Sequence, residues 1–224
     1  MSSVQTLPKV GWLHTTVGRK VVMALTGLFL MSFLVVHLAG NLLLLRGDGG
    51  AAFNAYAEFM STNPFIRVLE ILLFVGFVLH IYQGLYFILR ERKSRPIGYA
   101  RHAAHANTTL FARTMRISAL VILLFLVVHL RHFFIEHRFL GTSLTMYDSC
   151  RLAFENPYYT LFYVVSSVLL AFHLAHGFYS SFQTLGLVLN RRIERLIKLA
   201  GAAFAFLVPL GFAIIPLYFW IRTF

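Results

Sequence analysis

Cysteine occurs once in this chain, at Cys150. A single thiol excludes an intrachain disulfide and an iron–sulfur cluster held by several thiolates, and Cys150 reads as a plain loop residue. Charge is sparse as well. Only 12% of the residues are charged while 58% are hydrophobic, a balance that excludes an ordinary soluble domain. Acidic residues are scarcest of all, eight Asp and Glu against twenty Lys and Arg. No dinucleotide-binding fingerprint is present, so the chain carries no soluble redox fold of that kind.

Long apolar runs take up the space that charge leaves. Five are present, at approximately 21–45, 66–89, 114–134, 158–185 and 198–221. Most reach the ~20 residues that span a bilayer as a helix. The expectation is an all-α integral membrane protein with five transmembrane helices, a single unit over residues 1–224. The first run is too long for a signal-peptide core and lacks a small-residue cleavage pattern, so it is expected to stay in the mature protein.

The net charge of +12 does not point to nucleic acid, because of where the cations lie. Lys9, Arg19 and Lys20 precede the first span. Arg90, Arg92, Lys93, Arg95, Arg101, Arg113 and Arg116 lie between the second and third, and Arg191, Arg192, Arg195 and Lys198 between the fourth and fifth. In a five-span chain these all fall on one side. The positive-inside rule puts that side, with the N-terminus, in the cytoplasm and the C-terminus outside. The basic loop around His102 and His105 suits a partner protein or anionic lipid.

The chain repeats itself. "FLVVHL" occurs at Phe33–Leu38 and again at Phe125–Leu130, with His37 and His129 inside. His80 in "HIYQGLY" and His173 in "HLAHGFY" share a His-x-x-x-Gly-aromatic-Tyr pattern. Asn63-Pro64 and Asn156-Pro157 each place proline 16 residues before the following histidine. The offsets agree, 92 residues from His37 to His129 and 93 from His80 to His173. The first two spans are therefore a helical hairpin repeated as the third and fourth, related by an axis along the membrane normal. Asparagine as N-cap and proline in the first turn mark the start of the second helix of each hairpin.

Depth follows from a rise of ~1.5 Å per residue. Counted from Lys20 and Arg116, His37 and His129 lie about 20–25 Å from the cytoplasmic edge. Counted from Arg90, His80 lies about 15 Å in, and His173 similarly. The four histidines form two symmetric pairs, at levels expected to differ by about 5–10 Å. Two histidines on facing helices supply the fifth and sixth ligands of a haem iron, and two levels suggest two haems. Gly40, Gly76, Gly84 and Gly177 flank these histidines at helical spacing and are expected to leave a flat groove for the ring. The competing role is interhelical hydrogen bonding. Ionisable groups inside a membrane are costly and usually functional.

The segments "RKVVMALTGLFLMSFLVVHLAGN", "NPFIRVLEILLFVGFVLHIYQGLY" and "SSVLLAFHLAHGFYSSFQTLG" resemble the di-haem cytochrome b membrane anchor of succinate:quinone oxidoreductases (succinate dehydrogenase and fumarate reductase). The likeness runs over nearly the whole chain from Arg19. It implies two b haems, the outer held by His37 and His129, the inner by His80 and His173. It implies an iron–sulfur subunit and a flavoprotein subunit on the cytoplasmic side of a prokaryotic inner membrane. It also implies membrane quinone as substrate, menaquinone in most di-haem members, with the quinone site at least partly on this chain. Succinate chemistry would reside on the partner subunits, and a higher oligomer of the complex is compatible with the family.

Several further residues are candidates. His176 and His132 lie three residues after a favoured ligand, yet their counterparts in the other repeat are Gln83 and Gly40. A contact to a propionate or plain packing suits them better than ligation. Glu70, in the second span, and Glu58, in the outer loop, are candidates for quinone protonation, and Glu70 is equally suited to pairing with Arg67. His14, Arg19, Lys20, Arg113 and Arg116 stand at the inner mouth, where cations suit haem propionates. Three other readings remain. A nitrate-reductase type of anchor clusters its ligands on two spans, whereas here they fall on four. A transporter should carry more intramembrane carboxylates or broken helices, of which Pro209 and Pro216 in the fifth span are weak signs. A cofactor-free anchor leaves the four histidines unexplained.

Overall fold

The computed structural model describes residues 11–12, 15–94 and 109–224, without the side chains of 91–94. Among these residues five helices are long and apolar enough to cross a membrane, over Thr16–Leu45, Pro64–Arg90, Leu110–Leu140, Pro157–Thr184 and Arg191–Ile221, and no strand occurs. In chain order the α-helices are α1 (Thr16–Asn41), α2 (Ala51–Thr62), α3 (Pro64–Ser94), α4 (Leu110–His129), α5 (Met146–Glu155), α6 (Pro157–Thr184) and α7 (Arg191–Ile221). A short 3₁₀ turn, Leu42–Leu45, extends α1, and a π-helical stretch, Leu130–Leu140, extends α4.

Each hairpin is built alike: a long helix, a short helix, an Asn-Pro step and a second long helix. The Asn-Pro steps start helices for the expected reason. Asn63 Oδ1 accepts from the amides of Phe65 at 2.9 Å and Ile66 at 3.3 Å. Asn156 Oδ1 accepts from those of Tyr158 at 2.9 Å and Tyr159 at 3.2 Å. Proline follows where no amide partner exists to be lost. Thr15, Thr109 and Asn190 cap α1, α4 and α7 in the same way.

The short helices meet across the repeat. The Tyr147 amide donates to Asn54 Oδ1 at 3.0 Å, and the Tyr147 ring covers Gly50. Gly50 has φ +88°, and a Cβ there would lie 2.2 Å from that ring. Glycine is required twice over, for the left-handed backbone and for the close approach.

Helix α6 is the axis of the bundle, packed on α7, α4 and α1. Helix α3 rests chiefly on α1 and turns Phe65, Val68, Ile71, Leu72, Val75 and Val78 outward. Helix α7 runs through Pro209 and Pro216 without a break in helix. Its Gly201 lies against the Phe178 ring and its Gly211 against Leu38. Small residues let the helices approach where no hydrophobic force acts between apolar helices in lipid. The densest core, with Phe53, Phe133, Phe154, Tyr163, Ile215 and Phe219, lies at the α2–α5 end.

Two expectations change here. Cys150 lies in helix α5, 5% exposed, because α5 buries one face against the bundle; it is no loop residue. Glu58 likewise lies on a helix, α2, where its side chain is exposed. The run "FNAYAEFM" reads as loop only when the short amphipathic helix is overlooked.

Candidate functional site: two histidine pairs within the bundle

The bundle brings the four intramembrane histidines together in the two expected pairs. The rings of His37 on α1 and His129 on α4 stand 5.8 Å apart between centroids, at 88°. Those of His80 on α3 and His173 on α6 stand 6.3 Å apart, at 68°. The duplication extends to their surroundings. Phe33 stacks on His37 at 5.1 Å and 21°, and Phe125 stacks on His129 at 5.4 Å and 24°.

Hydrogen bonds fix most of these rings. His129 Nδ1 lies 3.2 Å from the Tyr163 hydroxyl, which is 3.3 Å from that of Tyr159. His80 Nδ1 lies 3.3 Å from Thr26 Oγ1. The Asn41 amide is 3.4 Å from both ring nitrogens of His37 and donates to its carbonyl at 2.7 Å. His173 Nδ1 is buried and has no hydrogen-bond partner. In His80 and His129, where the side-chain bond is to Nδ1, Nε2 is left for other contacts.

The geometry tests what such pairs can hold. A metal binds imidazole nitrogen at ~2 Å, so two rings on opposite sides of one ion stand about 6 Å apart between centroids. Both pairs match. Among the described residues no group of three or more His, Cys, Asp and Glu side chains is placed to hold a metal ion. Each pair thus offers two nitrogens, too few for a structural zinc site, which takes four ligands. Two opposed axial nitrogens fit a metal whose remaining ligands come from a flat macrocycle. The donor sets suit b-type haem.

The pairs are further apart than the residue counts from the membrane edges imply. Thr26, which meets His80, precedes His37 by eleven residues on α1. Tyr163, which meets His129, precedes His173 by ten on α6. Both steps rise about 15–16 Å, not 5–10 Å. The flanking cations misled because helices α1 and α3 run on past the charges used as rulers.

No family model and no solved structure matches the chain. A curated relative does: the succinate dehydrogenase cytochrome b558 subunit of Bacillus subtilis (strain 168), 27% identical over 165 residues, 73% of this chain and 77% of the relative. This chain resembles a cytochrome b subunit of succinate dehydrogenase. The resemblance read from the residues and the relative found by comparison point the same way.

The remaining candidates of that cytochrome-like chain divide. The glycine positions are filled by side chains: Gly40 by the Tyr56 ring, Gly76 by the Phe29 ring, Gly84 by the Met23 methyl at 3.5 Å and Gly177 by the Met31 methyl at 3.4 Å. The glycine that does face a histidine is Gly27, where a Cβ would lie 3.4 Å from His80 Cε1. It has no counterpart in the second copy, so the repeat gave no signal for it. Glu70 pairs with Arg67 at 2.7 Å, and Arg67 also donates to the Met60 carbonyl at 2.6 Å. Arg19 donates to Gln83 at 3.3 Å and lies 4.0 Å above the Tyr86 ring, on the side of the bundle near His80. Lys20 and Arg116 are exposed, and Arg113 and His176 are half-buried. His14 lies outside the described residues. His132 packs on the Tyr159 ring at 5.3 Å, and Tyr159 in turn lines an open groove of about 320 Å³ with Leu124, Val128 and Phe162.

Tyr163, Thr26 and Asn41 are site residues that the sequence reading passed over. Tyr163 looks like one more aromatic in a greasy helix. Its signal was available in the repeat, since it occupies the position of Glu70, ten residues before the second histidine.

Proposed function

We propose that this chain is the membrane anchor and electron-transfer subunit of a succinate dehydrogenase or fumarate reductase. In this reading His37 and His129 hold an outer b haem, and His80 and His173 an inner one. The observation that carries it is the pair of opposed histidines at each of two levels, repeated by an internal duplication.

The cofactors supply one-electron redox chemistry, and the protein positions and tunes them. His37 and His129 are oriented by Asn41 and Tyr163, while Phe33 and Phe125 limit ring rotation. The apolar surroundings exclude water and lower the local dielectric. Arg19 adds positive charge beside the inner pair and suits a propionate, as Lys20, Arg113, Arg116, His14 and His176 do by position or type. The iron–sulfur subunit docks on the basic cytoplasmic face, with the flavoprotein beyond it. Electrons pass between that subunit and quinone, menaquinone by resemblance, at the outer level. Glu58 and Glu70 are the polar features there that suit quinone protons, and the mainly apolar groove beside Tyr159 suits a quinone ring. The N-terminus lies in the cytoplasm and the C-terminus outside, as the basic residues imply.

The test is a reduced-minus-oxidised visible spectrum of the complex purified through a tag on this chain, with haem quantified per polypeptide. Two low-spin b haems, with flavoprotein and iron–sulfur subunits co-eluting, are expected. One haem would remove one histidine pair from the assignment, and none in an intact complex would end it.

A further inference from the structure

The duplication carries a second signature that the roles above do not use. Thr26 stands eleven residues before His37, and Ser118 eleven before His129. Each follows a methionine by three, Met23-x-x-Thr26 and Met115-x-x-Ser118. In both copies the hydroxyl donates back to its own helix: Thr26 Oγ1 reaches the carbonyls of Val22 at 2.8 Å and Met23 at 3.1 Å, and Ser118 Oγ that of Met115 at 3.0 Å. Ser118 is 0% exposed, a fully enclosed hydroxyl in a membrane-crossing helix.

Helix register places Ser118 near the level of His173, and the two make no hydrogen bond in this structure. Helices α4 and α6 pack together and run in opposite directions, and Tyr163 meets His129 between them. Ten residues along α6 from Tyr163 is His173, and eleven residues back along α4 from His129 is Ser118. Those steps cover about 15 and 16 Å, so Ser118 and His173 share a level. In the first hairpin the same step joins Thr26 to His80, and there the contact is made, 3.3 Å from Oγ1 to Nδ1. In the second, His173 Nδ1 is buried without a partner.

We propose that Thr26 and Ser118 are the positioning residues of the His80–His173 pair, each hydroxyl accepting Nδ1–H of its own histidine while donating to a backbone carbonyl of the preceding turn. A hydroxyl has one proton to donate and two lone pairs to accept with. Its proton is committed to the carbonyl, so it meets the histidine as an acceptor only. That selects the tautomer protonated on Nδ1 and leaves Nε2 as the lone-pair nitrogen facing the opposite ring. The carbonyl–hydroxyl–imidazole chain also makes Nε2 more basic, as outer-shell acceptors do for metal-bound histidine. A serine that merely satisfies itself on its own helix explains the Ser118–Met115 bond. It explains neither the orphaned His173 Nδ1 at the same level nor the equivalent contact already made in the other copy.

The inference rests on the two-haem reading, and the test separates the two. In the purified complex, both haems are titrated potentiometrically with visible and low-spin EPR detection. Wild type is compared with Ser118→Ala, Thr26→Val and Tyr163→Phe, and with the conservative Ser118→Thr and Thr26→Ser. Ser118→Ala and Thr26→Val are expected to keep two haems and to raise the midpoint of the same one, because a less basic imidazole favours the reduced metal. A tenfold change in that haem's reduction equilibrium corresponds to about 59 mV. Tyr163→Phe is expected to move the other haem, and the conservative variants to restore wild-type values. Unchanged potentials and EPR in haem-loaded Ser118→Ala would overturn the proposal, as would movement of the haem that answers to Tyr163→Phe. If Ser118→Ala does not assemble, Ser118→Cys, which keeps the volume and weakens the acceptor, is read by the same criteria. A wild-type complex without b haem would instead overturn the underlying reading, before any variant is compared.

Discussion

A histidine inside a lipid-crossing helix has two ring nitrogens to satisfy, and the four here differ: His37, His80 and His129 have side-chain partners, while His173 Nδ1 has none. Tyr163 serves His129 and is itself tied to Tyr159, so one hydroxyl links a ring to the neighbouring turn of α6. Removing it should cost about 1 kcal/mol for a lost buried hydrogen bond. We expect Tyr163→Phe to lower the melting temperature of the detergent-solubilised chain modestly; an unchanged midpoint would mean that the bond adds no stability. Cys150 is the opposite kind of residue, a thiol with nothing to do but pack. Burial pushes its ionisation up to about 12, against ~8.5 in an unfolded chain. Its folded form keeps a proton that the unfolded form releases. Stability from this group is therefore complete below about pH 8.5 and is lost as pH rises toward 12. Alkylation by iodoacetamide at pH 8 should be slow in the folded protein and fast after denaturation, and rapid labelling of the native chain would contradict the burial. Neither role was legible at this scale. Tyrosine within an apolar helix reads as filler, and a lone cysteine outside the long runs reads as loop, because single residues carry no periodicity.

Elements were more legible, since repetition and capping are local. The Asn-Pro steps begin α3 and α6 because an asparagine oxygen and a missing amide suit a helix start whatever lies around them. Asn156→Ala should cost about 1 kcal/mol, seen as a lower midpoint on thermal unfolding. What depends on the approach of two elements was hidden. Gly40, expected to make room for a ring of another kind, is covered by Tyr56 from α2, and no count along α1 reveals that. The junction of α2 with α5 offers a sharper experiment. Gly47 and Gly50 both have positive φ, but only Gly50 would drive a Cβ into the Tyr147 ring. Gly47→Ala should cost about 1 kcal/mol for the backbone alone, and Gly50→Ala clearly more. Equal losses in a thermal-stability comparison would show that the Tyr147 contact does not hold the two short helices together.

At the scale of the molecule, the five-span architecture was plain from hydropathy, while the pairing of helices was plain only through the duplication. The spacing between levels was misjudged because a membrane edge inferred from charge is a poor ruler for helices that outrun the bilayer. Orientation gives a direct prediction. A C-terminal alkaline phosphatase fusion should be active and a C-terminal green fluorescent protein fusion dark, whereas the reverse would invert the proposed topology. The placement of α3 has a consequence for assembly. This helix leans chiefly on α1, turns much of its surface to lipid, and yet carries His80, the partner of His173 on the central α6. A helix held along one seam is the least constrained part of the bundle and the natural last arrival as the spans associate. On the proposed reading, a cofactor that joins His80 to His173 would act as a rivet, fastening the loosest helix to the most deeply packed one, and its capture would be the closing step of folding.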